Sequence, residues 1–354
     1  MISAFLYSLL ENPYFRIILF PLSLLYWGVI FWRNIFYNLG IFVSHKLPCK
    51  VISIGNITTG GTGKTPAVIF FAELLKKRGF RIGILTRGYG RNSKGTIDLN
   101  SEISNKKNWK YFGEEPVLIS QKLIDIPIVI DNNRYRGGRY LYDKYKPELI
   151  ILDDGFQHRS LKRDIDINLI NANQPKHFYK LLPYGLLREP FHHLKRSDVV
   201  IVTKMNIKNP SRFMINKLRS LNINHYHSTF EASSHLLDIN GAKVDLTKIK
   251  NKRALAISGI GDPLSFELIL KMQSIDFIDH ITFNDHHEYE DDDFRIIENQ
   301  IINHNPDFLI TTEKDLIKLK YANKNIINKL FALPIGFMIS KSCLDFILQK
   351  LDIN

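Results

Sequence analysis

The chain has two cysteines in 354 residues, Cys49 and Cys343. That is too few for a disulfide framework or a zinc site, and it suits a reducing compartment. Only one stretch is continuously apolar, which excludes a polytopic transporter. That stretch has no basic region before it and no clean small-residue cleavage site after it, so a cleaved signal peptide is disfavoured. No module interleaving basic residues with stacking aromatics is visible, and nucleic-acid binding has only net charge in its favour. Disorder is excluded too: 45% of residues are hydrophobic and 23% charged, enough to build a core.

What is present starts with charge. Lys and Arg number 48 against 35 Asp and Glu, a net +13. Such a surplus fits nucleic acid, an anionic membrane or phosphorylated substrates. A composition rich in Ile, Asn and Lys raises the lysine count equally well without any binding role. The length predicts two domains at ~150 residues each.

Ile17–Trp32 carries no charge, and Arg16 and Arg33 bracket it. As a helix its sixteen residues span about 24 Å, short of the ~30 Å hydrocarbon core, and Pro21 permits a helix beginning there. Aromatics crowd it, among them Tyr14, Tyr26, Trp27, Trp32 and Tyr37, which favour the headgroup level. Residues 1–50 hold four Lys or Arg against one Glu, as an anionic leaflet requires. The expectation is a membrane-inserted or interfacial anchor. A buried N-terminal helix is the plainer alternative.

Val51–Ile54 reads as a buried strand, and a helical pattern follows Lys64. Between them lie Gly55, Asn56, Ile57, Thr58, Thr59, Gly60, Gly61, Thr62 and Gly63, then Lys64, Thr65 and Pro66. Strand, glycine loop and helix in that order make a P-loop. Glycines let backbone N–H groups turn toward one anion, and the helix adds the positive end of its dipole. Lys64 reaches the β and γ phosphates, and the Thr65 hydroxyl is placed to ligate Mg²⁺. The strict pattern wants glycine where Thr58 stands, so the loop is a variant.

A second strand, Arg81–Thr86, runs into Arg87-Gly88-Tyr89-Gly90-Arg91, an anion site or an ordinary turn. The strand at Pro147–Leu152 ends in Asp153 and Asp154, where a Mg²⁺-organising carboxylate is expected. Neighbouring strand-end residues point to opposite faces, so the two aspartates should do different work. Arg134, Arg136 and Arg139 form one candidate phosphate clamp, and Arg188 another. Glu114 and Glu115 open a helix, where acids ordinarily complement the dipole. Residues 206–250 read as a boundary region. Arg253–Ser258 then begins a second strand–turn–helix unit, without lysine in its turn. Asp285, His286 and His287 suggest a histidine base oriented by a carboxylate, or a structural histidine; adjacent histidines do not converge on one metal. The Thr311–Asp315 cluster reads as a contact to a nucleotide base or as a helix cap.

These motifs, in this order, resemble the lipid A 4′-kinases (tetraacyldisaccharide 4′-kinases). The resemblance rests on GNITTGGTGKTP at Gly55–Pro66, TRGYGR at Thr86–Arg91 and EEPVLI at Glu114–Ile119. It continues through DDGFQHRSLKRD at Asp153–Asp164, LPYGLLREP at Leu182–Pro190, SGIGDP at Ser258–Pro263, FNDHH at Phe283–His287 and TTEKDLIK at Thr311–Lys318. It implies an α/β fold: a P-loop NTPase domain with an N-terminal membrane helix and a second, smaller α/β domain. The expected division is 1–45 for the anchor, 46–215 for the kinase domain and 216–354 for the smaller domain with its linker.

The resemblance also implies transfer of the γ-phosphoryl of ATP, with Mg²⁺, to the 4′-hydroxyl of a lipid A disaccharide 1-phosphate. Thr58–Thr65 would bind ATP, and Thr65 and Asp153 would hold the metal. Lys64, Glu114, Asp154 and His286 would be catalytic, with Glu114 and His286 as the base pair. Arg87 and Arg188 would meet the lipid. Glu114 departs from the family's usual aspartate, and one methylene moves a carboxylate by over ~1 Å. The implied place is the cytoplasmic face of the bacterial inner membrane, against its anionic lipids, with no specific nucleic acid and no obligate protein partner. The rival readings are a membrane-associated P-loop ATPase or GTPase switch and a binding module that holds ATP only for stability.

Overall fold

A computed structural model describes Leu10, residues 12–102 and residues 109–352. The chain forms two compact units. One runs up to Thr229 and resumes at Phe337; the other is continuous from Phe230 to Gly336. The expected division fell after residue 215 and kept the C-terminal residues in the second domain. The observed return has a physical cause. Phe337 packs edge-on to Phe70, with ring centroids 5.7 Å apart, and Phe346 packs against Tyr226 at 5.8 Å. Lys350 pairs with Asp198 at 3.1 Å.

The first unit opens with α1, Pro13–Asn38, a helix of 26 residues. Asn12 caps it by accepting from the Tyr14 N–H at 3.0 Å, and Pro13 takes the first turn, where its missing N–H costs nothing. Pro21 therefore lies inside the helix and does not start it. Among the described residues this is the one helix long and apolar enough, by length and composition, to cross a membrane. Ile17, Ile18, Leu25 and Val29 lie exposed on it, while Ser23, Ile30 and Asn34 are buried.

The sheet of this unit has nine strands. In chain order they are β1 (Lys50–Asn56), β2 (Ile82–Thr86), β3 (Ile97–Asp98), β4 (Ile128–Ile130), β5 (Leu149–Asp153), β6 (Ile165–Asn171), β7 (Val199–Thr203), β8 (His225–Ala232) and β15 (Ile335–Ile339), the last after six strands of the other sheet. Across the sheet the order is β15-β8-β7-β6-β1-β5-β2-β4-β3. β1 lies at the centre, parallel to β5 and β6, and β3 alone is shown antiparallel to its neighbour. Strands β1, β2, β5, β6 and β7 are buried almost throughout, as apolar runs of Ile, Leu and Val must be when a parallel sheet is covered on both faces. Helices α2 (Lys64–Lys77), α3 (Glu114–Lys122), α4 (Arg134–Tyr145) and α5 (Arg212–Ser220) connect the strands.

The second unit has six strands: β9 (His235–Leu237), β10 (Lys243–Asp245), β11 (Ala254–Ser258), β12 (Phe277–Thr282), β13 (Phe308–Thr312) and β14 (Leu330–Leu333), ordered β10-β9-β14-β13-β11-β12. β11 is parallel to β12 and β13, and α6 (Pro263–Met272), α7 (Asp291–His304) and α8 (Glu313–Leu319) follow the strands. Its core gathers Leu255, Ile257, Ile297, Leu309, Leu319 and Leu330. Residues 206–250, expected as a boundary, contain α5 and three strands.

Candidate active site

The carboxyl ends of the central strands carry the site, as parallel α/β sheets place their ligands. Residues 57–63 join β1 to α2. Gly63 is the N-cap of α2 at φ 87, in the left-handed region where glycine avoids strain, and no side chain caps the helix. The first N–H groups of α2 therefore have no side-chain acceptor and point along the positive end of the dipole. The ends of two strands brace the loop. Thr203 Oγ1, ending β7, donates to the Thr62 carbonyl at 3.0 Å, and Asn56 Nδ2, ending β1, donates to Thr62 Oγ1 at 2.9 Å. The threonine at the variant position is accommodated because Thr58 bridges to Leu187 and is not among the residues with positive φ. The Thr59 N–H donates to the Leu186 carbonyl at 2.8 Å, tying the loop to the LPYGLLREP segment.

β5 lies beside β1 with Asp153 opposite Ile54, so the aspartates arrive next to the loop. Asp153 is buried, and its Oδ2 accepts from Thr86 Oγ1, the end of β2, at 2.9 Å. Its Oδ1 is buried with no hydrogen-bond partner. Burial raises its pKa well above the usual carboxylate range, and Glu115 and Asp154 add to that; Lys64 and Thr86 oppose it. Asp154 sits at φ 50. Its carboxylate lies 3.6 Å from Lys64 Nζ, and Arg188 Nη1 donates to both of its oxygens at 3.0 Å. Burial works against its charge, yet Lys64 and Arg188 hold it well below the usual range. Two adjacent carboxylates are thus driven apart in proton affinity by their surroundings, the pattern of divided labour.

The structure brings Lys64, Asp153, Asp154 and Arg188 into one cluster, with Thr65 next along α2. Arg87 is exposed at the end of β2. Glu114 is 2% exposed at the start of α3, after Gly113 at φ 94. A Cβ on Gly113 would stand 3.0 Å from the Tyr89 carbonyl, so the glycine lets the GEEP turn abut the RGYGR loop. His286 belongs to the second unit. There its Nε2 lies 3.1 Å from Lys314 Nζ and 3.8 Å from Asp285 Oδ1, and its backbone is left-handed at φ 60. His287 has a separate partner, Asp293, at 2.8 Å.

One reading is corrected. The three arginines after β4 do not form a clamp: Arg134 is buried and donates to the Asp131 carbonyl, Arg136 pairs with the Asp131 carboxylate at 2.8 Å, and Arg139 pairs with Asp143 at 3.5 Å. Arg134 instead reaches the carbonyl of Asp153 at 3.4 Å, placing a buried cation beneath the aspartates. Thr312 is the N-cap of α8, and its Oγ1 accepts from the Asp315 N–H at 3.1 Å, which is the helix cap that the Thr311–Asp315 cluster offered.

Sequence reasoning missed His158 and Glu189. His158 is pushed down to about 4, by burial first and by Arg134 next, so it is neutral at neutral pH. Glu189, fully buried, is contacted by Arg33 at 2.6 Å, His193 at 2.8 Å and Arg196 at 2.9 Å. The only hint was an acid set among basic residues just after Arg188.

Comparison with known proteins identifies the arrangement. The family model described as tetraacyldisaccharide-1-P 4′-kinase matches residues 15–352. The tetraacyldisaccharide 4′-kinase of Aquifex aeolicus is 37% identical over 88% of this chain and 92% of its own. That of Syntrophus aciditrophicus is 36% identical over 92% and 88%. The crystal structure of an "apo" form of LpxK from Aquifex aeolicus in complex with ATP superposes with a TM-score of 0.76 at 34% identity, covering 95% of this chain and 99% of that one. The chain belongs to the tetraacyldisaccharide-1-P 4′-kinase family and is an enzyme, a kinase of lipid A synthesis.

Proposed function

We propose that the γ-phosphoryl of ATP is carried to the 4′-hydroxyl of a lipid A disaccharide 1-phosphate at the Lys64–Asp153–Asp154 cluster. The observation that carries this reading is Lys64, at the open N-terminus of α2, lying 3.6 Å from Asp154. The uncapped first turn and Lys64 hold the phosphates, and Asp154 with Arg188 keeps Lys64 in place before nucleotide arrives. The residues present fit Mg²⁺: the partnerless buried Oδ1 of Asp153 and the Thr65 hydroxyl are the hard oxygen donors it takes. Bound there, Mg²⁺ would supply charge neutralisation to the transferring group. Arg87 and Arg188 are proposed for the lipid phosphate. His286 and Glu114, each within its own unit, are proposed to take up the hydroxyl proton, on the FNDHH and GEEP motifs.

The place proposed is the cytoplasmic face of the inner membrane, supported by the exposed apolar surface of α1 and the net charge of +13. The test uses the purified chain, Mg·ATP and a lipid A disaccharide 1-phosphate in detergent micelles, with mass spectrometry for one added phosphate. Lys64→Ala should lose at least ~100-fold in turnover. ATP hydrolysis that needs Lys64 but yields no lipid product would overturn the acceptor and favour the membrane ATPase switch.

A further inference from the structure

An anchor needs only an apolar face, yet α1 carries a polar stripe as well. Ser23, Tyr26, Asn34 and Asn38 recur at helical spacing with Ile30 among them, and Arg33 flanks the stripe. Every one of these polar side chains bonds to the body of the first unit. Ser23 Oγ donates to the Leu181 carbonyl at 3.2 Å, and Tyr26 Oη donates to the Arg188 carbonyl at 2.8 Å. Arg33 Nη2 donates to Glu189 Oε1 at 2.6 Å, and Asn34 Nδ2 donates to Oε2 at 3.3 Å. Asn38 accepts from Arg159 at 2.8 Å.

Three of these contacts fall on two consecutive residues, 188 and 189, and residue 188 is the one whose guanidinium grips Asp154. The Arg188 main chain is clamped from both sides: its N–H donates to the Ile57 carbonyl at 2.8 Å, where the phosphate loop begins, and its carbonyl accepts from Tyr26. Glu189 adds a charged fastening. Burial alone would raise its pKa, but His193, Arg196 and Arg33 hold it down at about 2, so it stays ionised at any ordinary pH.

We infer that α1 is a positioning element of the phosphoryl-transfer site: Tyr26 through the Arg188 carbonyl, and Arg33 with Asn34 through Glu189, set the turn that keeps the Arg188 guanidinium on Asp154 beside Lys64. This rests on the site reading given above. A displacement of about 1 Å at a group that orients a reacting charge is costly in rate. Tyr26, Arg33 and Asn34 touch no substrate in this account and act through Arg188.

The experiment measures kcat and KM of the full chain in mixed micelles, with co-sedimentation on phosphatidylcholine–phosphatidylglycerol vesicles alongside. Tyr26→Phe removes one hydroxyl and keeps the ring. It should lower kcat about 3- to 10-fold, the worth of one hydrogen bond, with KM for Mg·ATP and vesicle binding unchanged. In an Arg188→Lys background the same change should have little further effect, since both act on one group. Wild-type kcat for Tyr26→Phe, a loss matched by weaker vesicle binding, or effects that multiply in the double variant would each make α1 an anchor only and overturn the inference. None of those outcomes touches the site reading. That reading falls instead if Arg188→Lys itself turns over at the wild-type rate.

Discussion

The molecule builds the same strand–turn–helix device twice and finishes it differently. In the first unit β1 passes through a glycine loop into α2, whose N-terminus no side chain caps. In the second, β11 passes through Gly259–Asp262 into α6. There the Asp262 carboxylate accepts from the Ser265 N–H at 3.2 Å, Pro263 removes another donor, and Asp315 accepts from the Gly259 N–H at 3.0 Å. The second turn has its amides satisfied by carboxylates, Asp262 of the turn and Asp315 of α8, so an incoming phosphate finds negative charge and occupied donors. The first leaves its amides open and puts a lysine beside them. A helix N-terminus becomes an anion site by what is withheld from it as much as by its dipole.

The contrast can be broken from either side. The largest effect belongs to Asp315→Ala. Asp315 is fully buried, also accepts from Thr312 Oγ1 at 2.7 Å and Tyr289 Oη at 3.2 Å, and lies 3.4 Å from the buried Lys318. Leaving that lysine and the Gly259 amide without it should cost about 3–5 kcal/mol, read by urea unfolding followed in the second unit. Next, Gly63→Asp gives the first turn the carboxylate cap of the second. It should weaken Mg·ATP at least ~100-fold, seen as loss of nucleotide-dependent thermal stabilisation. Unchanged stabilisation would show that the open cap is not what binds. Asp262→Ala should cost about 1 kcal/mol and leave ATP binding alone.

The smallest effect concerns histidines. His280 in the second unit sits between Ser258 Oγ and Glu267, each at 2.8 Å, whereas His158 in the first is pushed down to about 4. A base whose folded pKa lies below its ordinary 6.5 is protonated first in the unfolded chain. Its contribution is therefore present above about 6.5 and lost as pH falls toward about 4. Melting temperature should drop across that window, and His158→Gln should flatten the drop. An identical slope in both proteins would remove His158 from the account.

The first turn was legible because its chemistry is local: an apolar strand, glycines, lysine and threonine in sequence. Asp153 and Asp154 were legible for the same reason. Glu189 was not, because its partner Arg33 lies in α1, far away in sequence, and an acid among basic residues reads as surface. The arginines after β4 misled because guanidinium forks suit phosphates and backbone carbonyls alike. β8 was hidden by its own composition. It carries His, Ser and Thr, and most of its positions are half-buried or exposed, so no apolar run marks it.

The place of β15 has a consequence for synthesis. It is the neighbour of β8 in the first unit's sheet, yet residues 233–334, nearly all of the second unit, are translated between them. On the ribosome the second unit has its whole sequence in hand while the nucleotide-binding sheet still lacks an edge strand. That edge waits for Phe337 and the residues after it, so a chain stopped at Gly336 leaves the phosphate loop on an unfinished sheet, which limited proteolysis of such a product would reveal as cleavage in β7 and β8 ahead of the second unit. Translation order thus withholds one edge of the first unit's sheet until the second unit has been made.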